Sequence, residues 1–324
     1  MHGRVAVIAL LFAGGLIVAA LAPAAPAQSQ TPAGTWTQKT PMPAVRGEVA
    51  AAAVGDRLFA VGGSVAGKAV ARNEEYDPAT DRWRPRAPLP QARDHLGVAV
   101  LDRKIYAFGG FTSSVHQGAG DGVFEYDPAG DRWRMLTPMP AGRASVGVAV
   151  LAGKLHVIGG RGLDGVTLAT HEVYDPATAK WSVAAPLPRA RDHMAVVAAG
   201  GKIHAIGGRL AGPADRTGQH DVYDPARDTW TSAAPLPTAR SGVSAALYQD
   251  MILVLGGELP PNHTFPENEG YDGKADRWIT LAPMPAGRHG FGGAVIGSDV
   301  YFVGGSVTPG GGGITDQLIK FSLP

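Results

Sequence analysis

"PMPAGR" occurs at Pro138–Arg143 and again at Pro283–Arg288. The two copies sample a longer period. All six tryptophans (Trp36, Trp83, Trp133, Trp181, Trp230 and Trp278) fall 47 to 50 residues apart. Glycine pairs beginning at Gly62, Gly109, Gly159, Gly207, Gly256 and Gly304 keep the same intervals. So do Arg46, Arg93, Arg143, Arg191, Arg240 and Arg288. Self-similarity at such a period identifies a repeat architecture. Within a copy, Trp to Arg is 10 residues, Arg to the first Gly 16, and Tyr to the next Trp 7. Only the stretch from the second Gly to that Tyr changes length, from 13 to 16 residues, the sixth copy having Phe321 in the Tyr place. A rigid unit with one elastic loop puts specificity in that loop.

Each copy reads as four short strands. In the second, "HLGVAVL" (His95–Leu101), "KIYAFGG" (Lys104–Gly110), "GVFEYDP" (Gly122–Pro128) and "RWRMLTPMP" (Arg132–Pro140) are separated by turn-like "LDRK" and "AGDR". Proline stops the third and fourth. Four strands per repeat, repeated six times, predict propeller blades. The first strand of each copy is rich in Ala and Gly, as in "EVAAAAV" and "GFGGAVI", which suits the narrow inner end of a wedge. The chain opens on a fourth-strand sequence, "GTWTQKTPMP" (Gly34–Pro43), and ends on a third-strand sequence, "DQLIKFSLP" (Asp316–Pro324). The N-terminal strand is therefore expected to complete the sixth blade, placing Trp36 there and removing an open sheet edge.

The bulk composition agrees. Of 324 residues, 45% are hydrophobic and 18% charged, with Gly 45, Pro 26 and no Cys. That is enough apolar material for a core, with Gly and Pro as turn punctuation. Lack of cysteine excludes disulfides, thiol catalysis and Cys-ligated metal. A net charge of +1 gives no electrostatic case for nucleic acid. His2 and Arg4 precede an apolar run from Val5 to Leu21, and "APA" at Ala25–Ala27 offers a cleavage site. The expectation is a signal peptide at 1–27, a short linker at 28–33 and one propeller domain at 34–324. The mature protein is expected to be exported, periplasmic or secreted. It would touch a membrane only if the leader stayed uncleaved.

The order Arg, Gly-Gly, Tyr-Asp-Pro, Trp, with an apolar "APLP" or "PMP" tail, resembles the kelch repeat and covers Gly34–Pro324. The resemblance implies an all-β, six-bladed kelch β-propeller with four antiparallel strands per blade. It also implies that two positions per blade face the loop side and the central channel. After Arg these are Gly47, Asp94, Ala144, Asp192, Ser241 and His289; after Gly-Gly they are Ser64, Phe111, Arg161, Arg209, Glu258 and Ser306. Asp94, Asp192, Ser241, His289, Phe111, Arg161, Arg209 and Glu258 are the expected ligand-binding set, a mixture suited to a polar pocket. The elastic loops add His116, Asp164, Asp215, Arg216, His263 and Glu267.

The repeated Gly, Trp, Tyr and Arg residues read as scaffold, and so do His156 and His204, which stand where other copies have Phe59, Tyr106 and Tyr301. "GRGLDG" (Gly160–Gly165) matches a dinucleotide fingerprint, but a strand and not a helix follows it. "NHT" (Asn262–Thr264) fits a glycosylation acceptor, a triplet common by chance. "RDH" at Arg93–His95 and Arg191–His193, with "RHG" at Arg288–Gly290, spreads Asp and His over alternate blades, a pattern that could hold a metal. In a strand, however, neighbouring side chains face opposite ways, so no metal and no cofactor is assigned.

The leading functional reading is an exported monomeric binder of a polar or acidic sugar, or of a protein or glycan partner, through its loop face and central pocket. The alternative is a sugar-active enzyme resembling the periplasmic N-acetylneuraminate epimerases, with Glu258 in "VLGGELPP" as acid/base. The arginine that the family carries later in that loop is missing here, and Arg209 is the available substitute. Galactose oxidase chemistry, which needs a Cys-crosslinked Tyr, is excluded.

Overall fold

The computed structural model describes residues 33–324, with the exception of Val115 and Pro213. The expected signal peptide and most of the linker lie outside those residues. Residues 32–324 form one compact unit. It contains six four-stranded antiparallel sheets. The innermost strands are Ala50–Val54, Gly97–Leu101, Gly147–Leu151, Ala195–Ala199, Ser244–Tyr248 and Gly292–Ile296. In the sixth sheet, Thr35–Lys39 pairs with Leu318–Ser322, Trp36 standing opposite Phe321. The ring is closed by the N-terminal strand. Among the described residues no helix is long and apolar enough to cross a membrane.

The seven-residue Tyr-to-Trp spacing is a hairpin register. Tyr76 lies opposite Trp83, Tyr126 opposite Trp133, Tyr174 opposite Trp181, Tyr223 opposite Trp230 and Tyr271 opposite Trp278. Ring centroids in these pairs are 4.8–5.3 Å apart. Each indole then reaches backwards: Trp133 Nε1 donates to Ala87 O at 2.8 Å, Trp230 to Ala185 O at 2.8 Å, and Trp36 to Ala282 O at 2.9 Å. The core lies between blades, as where Phe59 and Val61 of the first pack on Ile105, Phe124 and Tyr126 of the second.

The glycine pair makes the blade-to-blade joint. The second glycine of each pair donates its N–H to the Arg carbonyl of the next blade. Gly63 bonds Arg93, Gly110 bonds Arg143, Gly160 bonds Arg191, Gly208 bonds Arg240, Gly257 bonds Arg288, and Gly305 returns to Arg46, at 2.8–3.0 Å. The pair must be glycine at this joint. Gly109 and Gly110 take φ of 62° and 87°, and a Cβ on Gly109 would strike the carbonyl oxygen of Arg143.

The six arginines are scaffold too. All are 0–3% exposed. Arg143 Nη1 donates to Gly159 O at 2.9 Å, and Nη2 meets Glu172 at 2.5 Å. Arg46, Arg191 and Arg240 pair likewise with Glu74, Asp221 and Glu269. Two copies differ. Arg288 donates to Gly304 O and, in place of an acid, meets the amide Oε1 of Gln317 at 2.6 Å. Arg93 faces the ring of Phe124, 5.8 Å from its centroid, where four other blades place an acid.

Candidate functional site at the propeller mouth

The two positions per blade singled out from the sequence meet each other. Gly47 bridges Ser64, Asp94 bridges Phe111, Asp192 bridges Arg209, Ser241 bridges Glu258, and His289 bridges Ser306. Ala144 and Arg161 pair as a short ladder with Arg143 and Gly162. The set gathers at one mouth, but it does not line an open pocket. Asp94, Asp192, Ser241, His289, Phe111, Arg209 and Glu258 are all buried, and only Arg161 is partly exposed.

Loops and internal pairing close it. Arg209 Nη2 is ion-paired with Glu258, and its Nε donates to Ser241 Oγ at 3.2 Å. Glu258 Oε2 accepts the N–H of Gly310 at 2.9 Å and lies 3.4 Å from His289 Nε2. Of the loop residues, His116 reaches the axis. Asp164 caps the N–H of Val166, Arg216 donates to Ala239 O, and His263 stacks on Phe265.

The position that lines the axis is one residue further on. Glu48, His95, Ser145, His193, Gly242 and Gly290 stand second after each Arg. All have positive φ, between 50° and 68°. Their backbones chain around the axis. His95 N–H donates to Glu48 O, Ser145 to His95, His193 to Ser145, Gly242 to His193 and Gly290 to Gly242, and Val49 then donates to Gly290, at 2.9–3.3 Å. Because these residues are not in extended backbone, strand alternation does not apply to them. Asp94 and His95 therefore act together: Asp94 Oδ1 lies 2.7 Å from His95 Nδ1, and Asp192 Oδ1 lies 2.5 Å from His193 Nδ1. This corrects the expectation that only one member of each Asp-His pair could serve the axis.

The charges are tightly coupled. Burial would raise the Glu48 carboxyl, but His95, His289, His193 and Arg209 outweigh it and hold it at about 2. Burial and Arg209 push His193 down to about 4, against the pull of Asp192. His116 is exposed as a residue, but its ring packs against His95, Phe111 and His193. Burial of that ring and its cationic neighbours bring it to about 3. Burial opposes charge on His95, yet Glu48 and Asp94 raise it above the ordinary value.

Two cavities bear on function. Glu48, His95, Ser145 and His193, with the collar Val49, Leu96, Val146, Met194, Val243 and Phe291, enclose about 120 Å³ at the axis. Gln91, Ala92, Arg93, Thr112, Gly118–Asp121 and Leu163 line a larger groove of about 580 Å³. Ligand pockets for drug-sized molecules run from about 300 to 1,000 Å³; the groove falls in that range and the axial cavity does not. Among the described residues, Nε and Nη1 of Arg93 have no hydrogen-bond partner. Nε is likewise unpartnered at Arg46, Arg143, Arg191 and Arg288, so Nη1 is what sets Arg93 apart, and its Nη2 donates to Gln91 Oε1 at 2.6 Å. Arg93 was legible only as one of a conforming series. Its missing acid, Phe124 where four other blades have Glu or Asp, was the signal in the sequence.

The Kelch motif matches residues 46–90, 92–140 and 142–188, spanning the first three blades. Among solved structures, the chain is similar to the protein described as "Structure of YjhT", with 21% sequence identity and a TM-score of 0.74. That match covers 88% of this chain and 99% of the other. It is a likeness of fold. No curated protein sequence matches the chain.

Proposed function

With the chain a six-bladed propeller built of kelch motifs, we propose that it is a binding protein that takes a polar ligand on its loop face, in the groove beside Arg93. The observation that carries this reading is Arg93 itself. It is 3% exposed, has two guanidinium atoms unpartnered, and borders a groove of about 580 Å³. An anionic sugar or glycan fits that donor, because a guanidinium recognises carboxylate through paired N–H groups. Asp121, on the same rim, suits ligand hydroxyls. The groove replaces the central pocket expected from the sequence, which is too small and too well neutralised to admit a sugar.

The sugar-active enzyme remains the second reading, with Glu258 as acid/base. Its carboxylate is 2% exposed and already engaged by Arg209 and Gly310, an arrangement that favours structure over proton transfer.

Calorimetry against neutral and acidic sugars separates the readings. The binder requires an acidic sugar to bind wild type and Glu258→Gln equally, and Arg93→Met at least tenfold more weakly, since a hydrogen bond to a charged group contributes about 1.5–3 kcal/mol. Equal binding by Arg93→Met would overturn it. Sugar turnover by wild type that disappears in Glu258→Gln while binding persists would establish the enzyme.

A further inference from the structure

Three imidazoles converge over the axis. His95, His116 and His193 each offer a ring nitrogen, and these atoms lie within 4.8 Å of one another. Their ring centroids are 5.0, 5.0 and 5.5 Å apart. Three imidazoles on a tetrahedral ion, with metal–nitrogen bonds of about 2.0–2.1 Å, place their centroids about 5.2 Å apart. The ring centroids stand at that spacing; the nitrogens, now within 4.8 Å of one another, must close to about 3.3 Å to share one ion, His193 Nε2 leaving Ser145 Oγ.

What lies behind the rings strengthens the case. Two of the three histidines hand Nδ1 to a buried carboxylate, Asp94 at 2.7 Å and Asp192 at 2.5 Å. Metal-ligating histidines characteristically do this, the carboxylate fixing tautomer and ring direction and leaving Nε2 for the ion. Asp192 is itself held by Thr167 Oγ1 at 2.6 Å. Glu48 Oε2 lies 3.2 Å from His95 Nε2 and supplies an oxygen from the same ring of residues. Around the triad the fixed carboxylates Glu48, Asp94 and Asp192 outnumber Arg209, whose charge is already matched by Glu258. The axial cavity of about 120 Å³, lined by His95, His193 and Glu48 but not by His116, adjoins the triad and has room for a water beside the ion. His116, on an exposed loop, gives the ion a way in from solvent.

We propose that His95, His116 and His193, with Glu48 alongside, bind one divalent transition-metal ion of the zinc class at the propeller axis. Imidazole with one carboxylate suits zinc, cobalt and nickel, not calcium or magnesium. The ion pins His116 over the mouth. This site shares with the groove beside Arg93 the loop that carries Thr112, His116 and Gly118, but no ligating residue lines the groove.

The test uses the chain purified without a polyhistidine tag, stripped with chelator and titrated with Zn2+ and Co2+. Wild type should retain about one equivalent by elemental analysis, and its Co2+ form should show the visible bands of a four-coordinate site. His116→Ala, on an exposed loop and so able to fold, should weaken Zn2+ binding at least tenfold and abolish those bands. Asp192→Asn should weaken it about 10–100-fold, and His263→Ala should change nothing. Less than a tenth of an equivalent on natively melting wild type would overturn the proposal. So would unchanged Zn2+ affinity in His116→Ala.

Discussion

Arg93 stands over the ring of Phe124, where the equivalent arginine of four other blades meets a carboxylate. One repeat position thus carries two kinds of energetics. A buried cation with its acid is hard to remove singly, because the partner is left charged and buried at about 3–5 kcal/mol. Arg93 has no buried carboxylate to strand: its removal releases only Gln91 Oε1, 2.6 Å from Nη2, and the exposed Asp121. Arg143→Met is therefore expected to destabilise the protein by about 3–5 kcal/mol, whereas Arg93→Met should stay within about 1 kcal/mol of wild type. Denaturant midpoints at fixed m-value read the difference, and equal losses would refute it. The same result certifies Arg93→Met as a folded reagent for the binding experiment.

Glu258 and Arg209 form one unit. Either Glu258→Gln or Arg209→Met alone should cost about 3–5 kcal/mol, and the double variant should cost clearly less than the sum, a coupling of at least about 1 kcal/mol. Additive losses in a double-mutant cycle would mean the pair is not the lock it looks to be. Ligand and turnover assays on Glu258→Gln accordingly belong well below its melting temperature.

The third and fourth blades replace a Phe-Asn pair with two histidines. In the first blade Asn73 Nδ2 donates to Ala87 O; in the third His171 Nδ1 donates to Ala185 O, and His156 Nδ1 lies 2.9 Å from His171 Nε2. His204 and His220 repeat the arrangement at 2.9 Å. Burial pushes His156, His171 and His204 down to about 4, and lowers His220 as well. Unfolded, these rings take up protons near pH 6.5. The unfolded state binds more protons between those values, so their contribution is complete above about pH 6.5 and is lost as the pH falls towards 4. One histidine of each pair accounts for about 3 kcal/mol over that window. The double change His156→Phe with His171→Asn, which copies the first blade, should remove about half of this slope. Melting curves from pH 7 to 4 test it; an unaltered slope would exclude the pair as its source.

Trp36 joins three strands at the seam. It packs on Phe321 at 4.9 Å and Phe302 at 5.9 Å and donates to Ala282 O. Trp36→Ala is expected to cost about 3 kcal/mol, a melting shift of about 6–12 °C at this size. Removing residues 33–45 should cost more. A truncated chain that melts like wild type would show that the seam contributes no stability.

Nearly the whole fold was legible because spacing is topology: seven residues from Tyr to Trp is a hairpin, and sixteen from Arg to the first Gly is a guanidinium bonded to a carbonyl of its own blade. Blade number, closing strand and the place of Trp36 all followed. The mouth was half legible. Asp94, Asp192, Ser241, His289, Phe111, Arg161, Arg209 and Glu258 do assemble, but sequence could not show that Arg209 and Glu258 would neutralise each other under the loops. Glu48, His95 and His193 were missed as an axial set because strand alternation was applied to residues of positive φ. A signal existed: the second position after each Arg reads Glu, His, Ser, His, Gly, Gly, polar or side-chain-free in every copy. The rest depended on backbone angles, which a period does not encode.

The strand Thr35–Lys39 is synthesised well before its partner Leu318–Ser322. The sixth sheet thus stays incomplete until that partner emerges, and during that interval two complementary edges wait on distant stretches of one molecule. Edges of that kind pair with whatever arrives first. Crowded nascent chains can therefore exchange the strand and link head to tail, whereas dilute ones seal on themselves. Concentration at the moment of folding is therefore expected to shift the balance between the closed ring and exchanged chains, which size-exclusion chromatography after refolding at two concentrations would read.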